Sequence, residues 1–465
     1  MERVLEQIPA AAAAHAGVGR RDITPPVGIY SRMWGAASHD VAEGVHRPLT
    51  ATVLALSQPS VPPLLLVAMD WVGVHDPEVL AMLRRPLEER CEGDAARVIF
   101  SHTHTHGIGI MSAARRQLPG GDLIGPYMDQ AREALAEAAG EALDGITLCT
   151  LTWASGRCTL AAQRDLPDPD PASERYLCGF NPDGAADETL LVGRITRDSD
   201  DQPLATVVNY ACHPTTLAWD NKLHSPDFIG AMREVVEEHT AGGPCLFTQG
   251  ASGELAPRYQ YTGDHALADR YGRQLGYAVL STLESMLRPR QKLVYEGPVE
   301  SGAPLAVWRP QPFQPPADFK ALSCAADLPL KPVPDLAELQ RQLDACEDRT
   351  QAERIRRKMG LATQLAEYRH SGTYPLPLSI WQVGRLLVVA QASEPYSDFQ
   401  IDLRRCFPDY AVITMSVANH GLGGYLVPPD KHDLDLYQAW QTPFDRQALP
   451  ALLDTCCRQI EQLLS

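Results

Sequence analysis

The chain has 465 residues, 45% of them hydrophobic and 21% charged, which is ample apolar material for a folded core. Its formal net charge of −17 argues against nucleic acid or an anionic membrane surface as a standing partner, and no apolar stretch approaches the roughly 20 residues that span a bilayer. The eleven cysteines are odd in number, scattered and without a C-x-x-C pair, so neither a disulfide framework nor a cysteine zinc site is indicated.

The opening MERVLEQIPAAAAAHAG holds two glutamates and a weakly apolar alanine run, without the basic start and strongly apolar middle of an export signal. A cytoplasmic location is expected. Residues 17–24 and 49–56 read as strands, and 63–69 as a buried strand that ends on Asp70. Residues 76–91 read as a helix capped by Asp76 with Pro77 in its first turn. The apolar run 96–100 is another buried strand, and 125–143 a second helix. This alternation predicts an α/β fold of layered sheets flanked by helices. Residues 146–159 and 190–210 look extended, with a hairpin signal at 198–201, and the polar loop 165–187 lies between them. Helices are expected at 228–238 and 265–287, and a short strand at 244–247. Proline-rich 303–334 is expected to be an irregular covering segment, and 335–368 a charged helix or helix pair with a solvated face. A buried strand pattern returns at 381–390, an extended one at 407–417, and an amphipathic helix closes the chain at 445–464. No repeat or flexible linker interrupts this, so 1–465 reads as one domain, with 303–370 as an irregular and helical insertion.

Five stretches carry chemistry. The first, SHTHTHGIGI at 101–110, follows a buried strand. If that strand continues, His102, His104 and His106 share one face, with neighbours about 7 Å apart, close enough for two imidazoles to hold one metal ion. Three in a row span about 13 Å, so one ion cannot take all of them. The second is 209–216, NYACHPTT, where His213 leaves a strand and Pro214 ends the pairing. Downstream, Asp227 fits either a polar cluster with His224 or a helix N-cap. The third, 247–258, is a strand leading into the glycine-rich GASGELAPR, which lacks the lysine and hydroxyl residue of a phosphate loop. The fourth, QASEPY at 391–396, ends a strand on Glu394, a carboxylate that needs a cation or hydrogen bonds if buried. The fifth is the glycine- and proline-punctuated loop 419–437, with Tyr425 and Tyr437.

In this order the five stretches resemble the catalytic domain of the neutral ceramidase family, zinc-dependent amide hydrolases. The resemblance begins at Ala16–Pro26 (AGVGRRDITPP), continues through THTHG at 103–107 and HPTT at 213–216, and takes in Gln391–Tyr396 and Tyr425-Leu426-Val427-Pro428 with Tyr437 twelve residues on. It covers nearly the whole chain. It implies zinc bound by His104, His213, Glu394 and Tyr425, with His106 facing substrate and His102 supporting. It further implies Tyr437 as the oxyanion donor, Arg164 as a substrate contact, and Asp227 and Gly253 as supporting residues.

Three departures bear on the substrate. GELAPR puts Ala256 where the family carries a serine, which favours a metal-bound water over covalent serine chemistry. Gln391-Ala392-Ser393 replaces a proline-glycine approach to the glutamate, and the chain is expected to lack the family's C-terminal immunoglobulin-like domain. Two histidines and a carboxylate are a familiar catalytic zinc set with a position open for water, whose pKa zinc lowers to about 7. The expected partner is therefore a small or N-acylated amide substrate, without nucleic acid or stable membrane association; oligomeric state is unspecified. An esterase or lactonase on the same scaffold, and a catalytically lapsed ligand-binding homologue, are the alternatives.

Overall fold

A computed structural model describes residues 5–74, 76–419 and 421–465. Positions 1–4, part of the stretch read for an export signal, and 420, inside the two-tyrosine loop, lie outside them, as does 75. The larger sheet has eight strands: β1 (Ala10–Asp22), β2 (Thr50–Gln58), β3 (Val61–Met69), β4 (Val98–His102), β5 (Thr147–Arg157), β6 (Thr189–Arg197), β7 (Pro203–Tyr210) and β8 (Cys245–Gln249). Their order across the sheet is β8-β7-β6-β5-β1-β2-β3-β4. Only the two outermost pairs, β3 with β4 and β7 with β8, are parallel. A smaller sheet orders β9 (Phe319–Pro329), β10 (Thr373–Val383), β11 (Leu386–Ala390) and β12 (Ala411–Met415), the last pair again parallel.

The strands are apolar on both faces, and alternation sorts the two faces into separate cores. Leu64, Leu66 and Ala68 of β3 pack with Trp381, Val388, Ile413 and Met415 of the smaller sheet, so the sheets lie face to face. The intervening Leu65, Val67 and Met69 point the other way, onto α1 (Pro77–Glu88) and α2 (Ile124–Asp144). Beyond β6, β7 and β8 the same outer face meets α3 (Phe228–His239) and α4 (His265–Glu284). Past α5 (Leu336–Asp344) and α6 (Arg349–Gln364), the outer face of the smaller sheet is covered by α7 (Asp398–Cys406), then by the final helix Ala448–Leu464. The layered α/β arrangement expected from the sequence is the one observed.

Two local readings change, and the alanine run, which carried no reading of its own, is strand. β1 begins at Ala10, and small residues suit it because α2 lies so close that a Cβ on Gly17 or Gly19 would collide with the carbonyls of Ala142 and Ala138. Residues 303–334 are not irregular: Pro304–Pro312 pairs with Gln291–Glu300, and Phe319–Pro329 is the edge strand β9. Edge positions tolerate the missing N–H of proline, which is why a proline-rich segment can still be strand. The pattern at 381–390 is two strands folded back at Gly384, which adopts φ 55°. The charged segment after 335 is a helix pair, as read.

The ends of the parallel strands converge. The chain leaving β12 is stitched to both margins of the larger sheet: Ser416 N donates to Gln249 O at 2.9 Å, and Asn419 N to Phe100 O at 2.6 Å. The carboxyl ends of β4, β8, β11 and β12 therefore meet at one place, where a layered α/β protein leaves a crevice for ligands.

Candidate metal centre

His104, His213 and Glu394 come together here, with one ligand atom from each lying within 4.8 Å of the others. Each arrives from a strand end. β4 stops at His102, paired with Met69, and the chain then turns so that His104 takes φ 65°. That left-handed conformation is costly for a histidine and is held by the bond from His104 N to Trp71 O, 2.9 Å. It also breaks the alternation expected at the sequence level, since His102, His104 and His106 do not line one strand face. His102 is buried at the strand end, outside the cluster, while the rings of His104 and His106 lie edge to face with centroids 5.0 Å apart. His213 follows β7, its N–H donating to Leu255 O at 2.9 Å. Glu394 sits in a two-residue parallel pairing with Tyr425, so two positions thirty-one residues apart are fixed side by side.

Backbone carbonyls set the chemistry of both imidazoles. His104 Nδ1 lies 2.6 Å from Val72 O, and His213 Nδ1 lies 2.7 Å from Ser252 O. A carbonyl only accepts, so Nδ1 carries a proton in each ring, and in the neutral ring Nε2 presents a lone pair. Those two Nε2 atoms point at one oxygen of Glu394, 3.5 Å from His104 and 3.0 Å from His213. Lone pairs facing a carboxylate repel unless a proton or a metal cation lies between them. Burial, reinforced by the Arg164 charge, pushes the His213 pKa down to about 4 and so disfavours the proton. The donor set, two neutral imidazole nitrogens and a carboxylate oxygen, fits a divalent cation of the zinc type.

Arg164 is 4% exposed and reaches the cluster from behind. Its Nη2 donates to Gly253 O at 2.7 Å and to the Tyr425 hydroxyl at 3.3 Å, and lies 3.3 Å from His213 Nε2. Tyr425 is thus beside the cluster, its hydroxyl pKa pushed up by burial. Gly253 is needed for its close approach: a Cβ there would stand 2.9 Å from both Glu394 O and Tyr396 Cδ1. Tyr437 opens the five-residue helix Tyr437–Gln441, its ring 5.8 Å from that of Tyr425, and burial pushes its pKa up as well. His106 is held well below the ordinary histidine value by burial and by His104 and His213. Asp227 lies away from the cluster and caps α3, accepting from Phe228 N at 2.7 Å and Leu217 N at 2.9 Å. Ala256 is buried in a short strand paired with Ala161–Gln163.

Several contributors escaped the sequence reading. Asp165, next to Arg164, accepts from Gln438 at 2.9 Å and Tyr396 at 3.0 Å, and Gln438 also donates to Gly253 O at 3.1 Å, so this trio braces the arginine. Its only sequence signal is a charged residue at the start of a polar loop. The carbonyls of Val72 and Ser252 carry none, because every residue has one.

Two solved structures share this architecture. The fold is that of neutral ceramidase. The crystal structure of neutral ceramidase from Pseudomonas aeruginosa superposes with a TM-score of 0.68 at 14% identity, covering 96% of this chain and 73% of that one. A ceramidase complexed with C2 gives the same TM-score and identity over 96% of this chain and 74% of its own. No protein-family model and no curated protein matches the chain. Among the described residues, no helix is long and apolar enough to cross a membrane.

Proposed function

We propose that the protein is a zinc-dependent amidohydrolase, a divergent relative of neutral ceramidases that cleaves the C–N bond of a small or N-acylated amide. The observation that carries this reading is the pair of backbone-locked imidazoles presenting Nε2 lone pairs to one largely buried carboxylate. The shared fold supports amide hydrolysis as the bond class. His104, His213 and Glu394 would hold the zinc, with Tyr425 as a fourth ligand. A zinc there supplies Lewis acidity, polarising the amide carbonyl and bringing a water's pKa to about 7.

The chain's own residues do the rest. Tyr437, kept protonated by burial, donates its O–H to the oxygen on which charge develops as the carbonyl becomes tetrahedral. His106, kept neutral, takes a proton and passes it to the departing amine nitrogen. Arg164, pinned between Gly253 and Tyr425, fixes the Tyr425 ring. Zinc-loaded protein should hydrolyse members of a panel of short N-acyl amines and lose that activity on chelation. A chelator-insensitive hydrolase, or preference for the matching esters, would overturn the reading.

A further inference from the structure

A small void lies beside His106, about 10 Å³ in volume, room for one water-sized group. Trp34, His39, His106 and Lys222 contribute to its wall, with Ala37 and Ala218 as apolar neighbours. Among the described residues, three nitrogens here are buried without a hydrogen-bond partner: Trp34 Nε1, His39 Nδ1 and His106 Nε2. Buried polar atoms are ordinarily paired, and leaving one unpaired costs roughly 1–3 kcal/mol. Three around one void mark a place built to receive something.

The donor inventory says what. Trp34 Nε1–H can only donate, and a neutral imidazole can turn a donor toward an acceptor. Burial and then the Lys222 charge hold His39 below its ordinary value, so it is neutral near pH 7. Lys222 brings a positive charge to the rim, shared with Glu43 at 2.8 Å. Trp34 is locked in an aromatic wall, edge-on to Trp219 at 6.1 Å and to Tyr261 at 5.7 Å, and its ring lies 5.4 Å from His106. The indole N–H is therefore fixed rather than free to seek water elsewhere.

We infer that this void is the subsite for a carboxylate oxygen on the amine side of the substrate, which makes the substrate class N-acyl amino acids. The inference rests on the amidohydrolase reading, because it assigns the side of the bond from His106, the imidazole proposed to serve the leaving amine. One size of group fits: a single oxygen enters, and a long alkyl chain does not.

The test compares N-hexanoylglycine with N-hexanoylmethylamine, which lacks only the carboxylate. Zinc-loaded protein should show at least tenfold higher kcat/KM for the glycine conjugate, carried mainly by KM. Trp34→Phe keeps an aromatic ring, though a smaller one, and removes the N–H, and should collapse that ratio toward one; His39→Leu repeats the test at a second wall position. Equal kcat/KM for both substrates, or a ratio unmoved in both variants, overturns the inference and leaves the three nitrogens holding a water. If neither compound is hydrolysed, calorimetric titration decides separately. Preferential binding of N-hexanoylglycine that Trp34→Phe abolishes would uphold the subsite while sinking the hydrolase reading, and no preference would sink the subsite.

Discussion

Asp70 and Glu394 are both carboxylates taken out of water just past the end of a buried strand, and they meet opposite company. Asp70 is fully buried, and Arg233 grips it with both arms, at 2.9 and 2.6 Å, while Thr50 N donates at 2.8 Å. Every contact there joins a donor to an acceptor, and the group ties β3 and β2 to α3. Glu394 instead faces two imidazole nitrogens whose protons are committed elsewhere. The first cluster is complete in the protein alone. The second offers the donor atoms that a divalent cation takes, so burial of charge distinguishes structure from function only after the protons have been assigned.

The contrast can be broken most directly at its satisfied end. Asp70→Ala leaves Arg233 buried and unpaired, and should cost about 3–5 kcal/mol in chemical denaturation. Glu394→Gln in metal-free protein should cost less than Asp70→Ala, because it leaves no gripping guanidinium buried and unpaired. Equal losses from the two substitutions would erase the distinction. Next in size, Tyr437→Phe should lower kcat roughly a hundred- to a thousandfold while zinc content stays at one per chain; a change confined to KM would remove Tyr437 from the oxyanion role.

Glu254 sharpens the comparison as a third buried carboxylate, one that meets Ser397 N at 3.0 Å and, among the described residues, no cation. Burial pushes its pKa up to about 7, against the opposing pull of those hydrogen bonds. The unfolded chain releases this proton near pH 4.3, so between about 4.3 and 7 the native state binds a proton that the unfolded state does not. Its contribution is present at low pH and fades as pH rises through that window, by on the order of 3 kcal/mol. Glu254→Gln should flatten that decline in stability-versus-pH curves, and an unchanged slope would contradict the assignment. Smallest is Gly253→Ala, where the added methyl meets Glu394 O and the Tyr396 ring. A cost of about 1–3 kcal/mol is expected, together with weaker zinc binding. Full stability with wild-type zinc affinity would show that the approach is not needed.

Much of this could be read from the chain. β3, β4, β7, β11 and the helices at 124–144 and 228–239 announce themselves by apolar runs and by helical spacing. His104, His213, Glu394, Tyr425, His106, Arg164 and Tyr437 do lie in one neighbourhood, as the ordered motifs implied. Ala10–Ala16 was illegible as strand because alanine favours helix, and only contact with α2 selects the extended form. His102 was placed with the other histidines because alternation was carried past the point where Trp71 O pulls His104 into a left-handed turn. The proton assignment was out of reach altogether, since it depends on two carbonyls brought in from loops that follow other strands.

Zinc binding by calorimetry on metal-stripped protein tests the central claim most directly, run on the parent, His213→Ala and Glu394→Gln. One zinc per chain is expected in the parent with a dissociation constant below a micromolar (about −8 kcal/mol or tighter), weakened at least a hundredfold in each variant. Parent protein that binds no zinc, or variants that bind it as tightly as the parent, would contradict it.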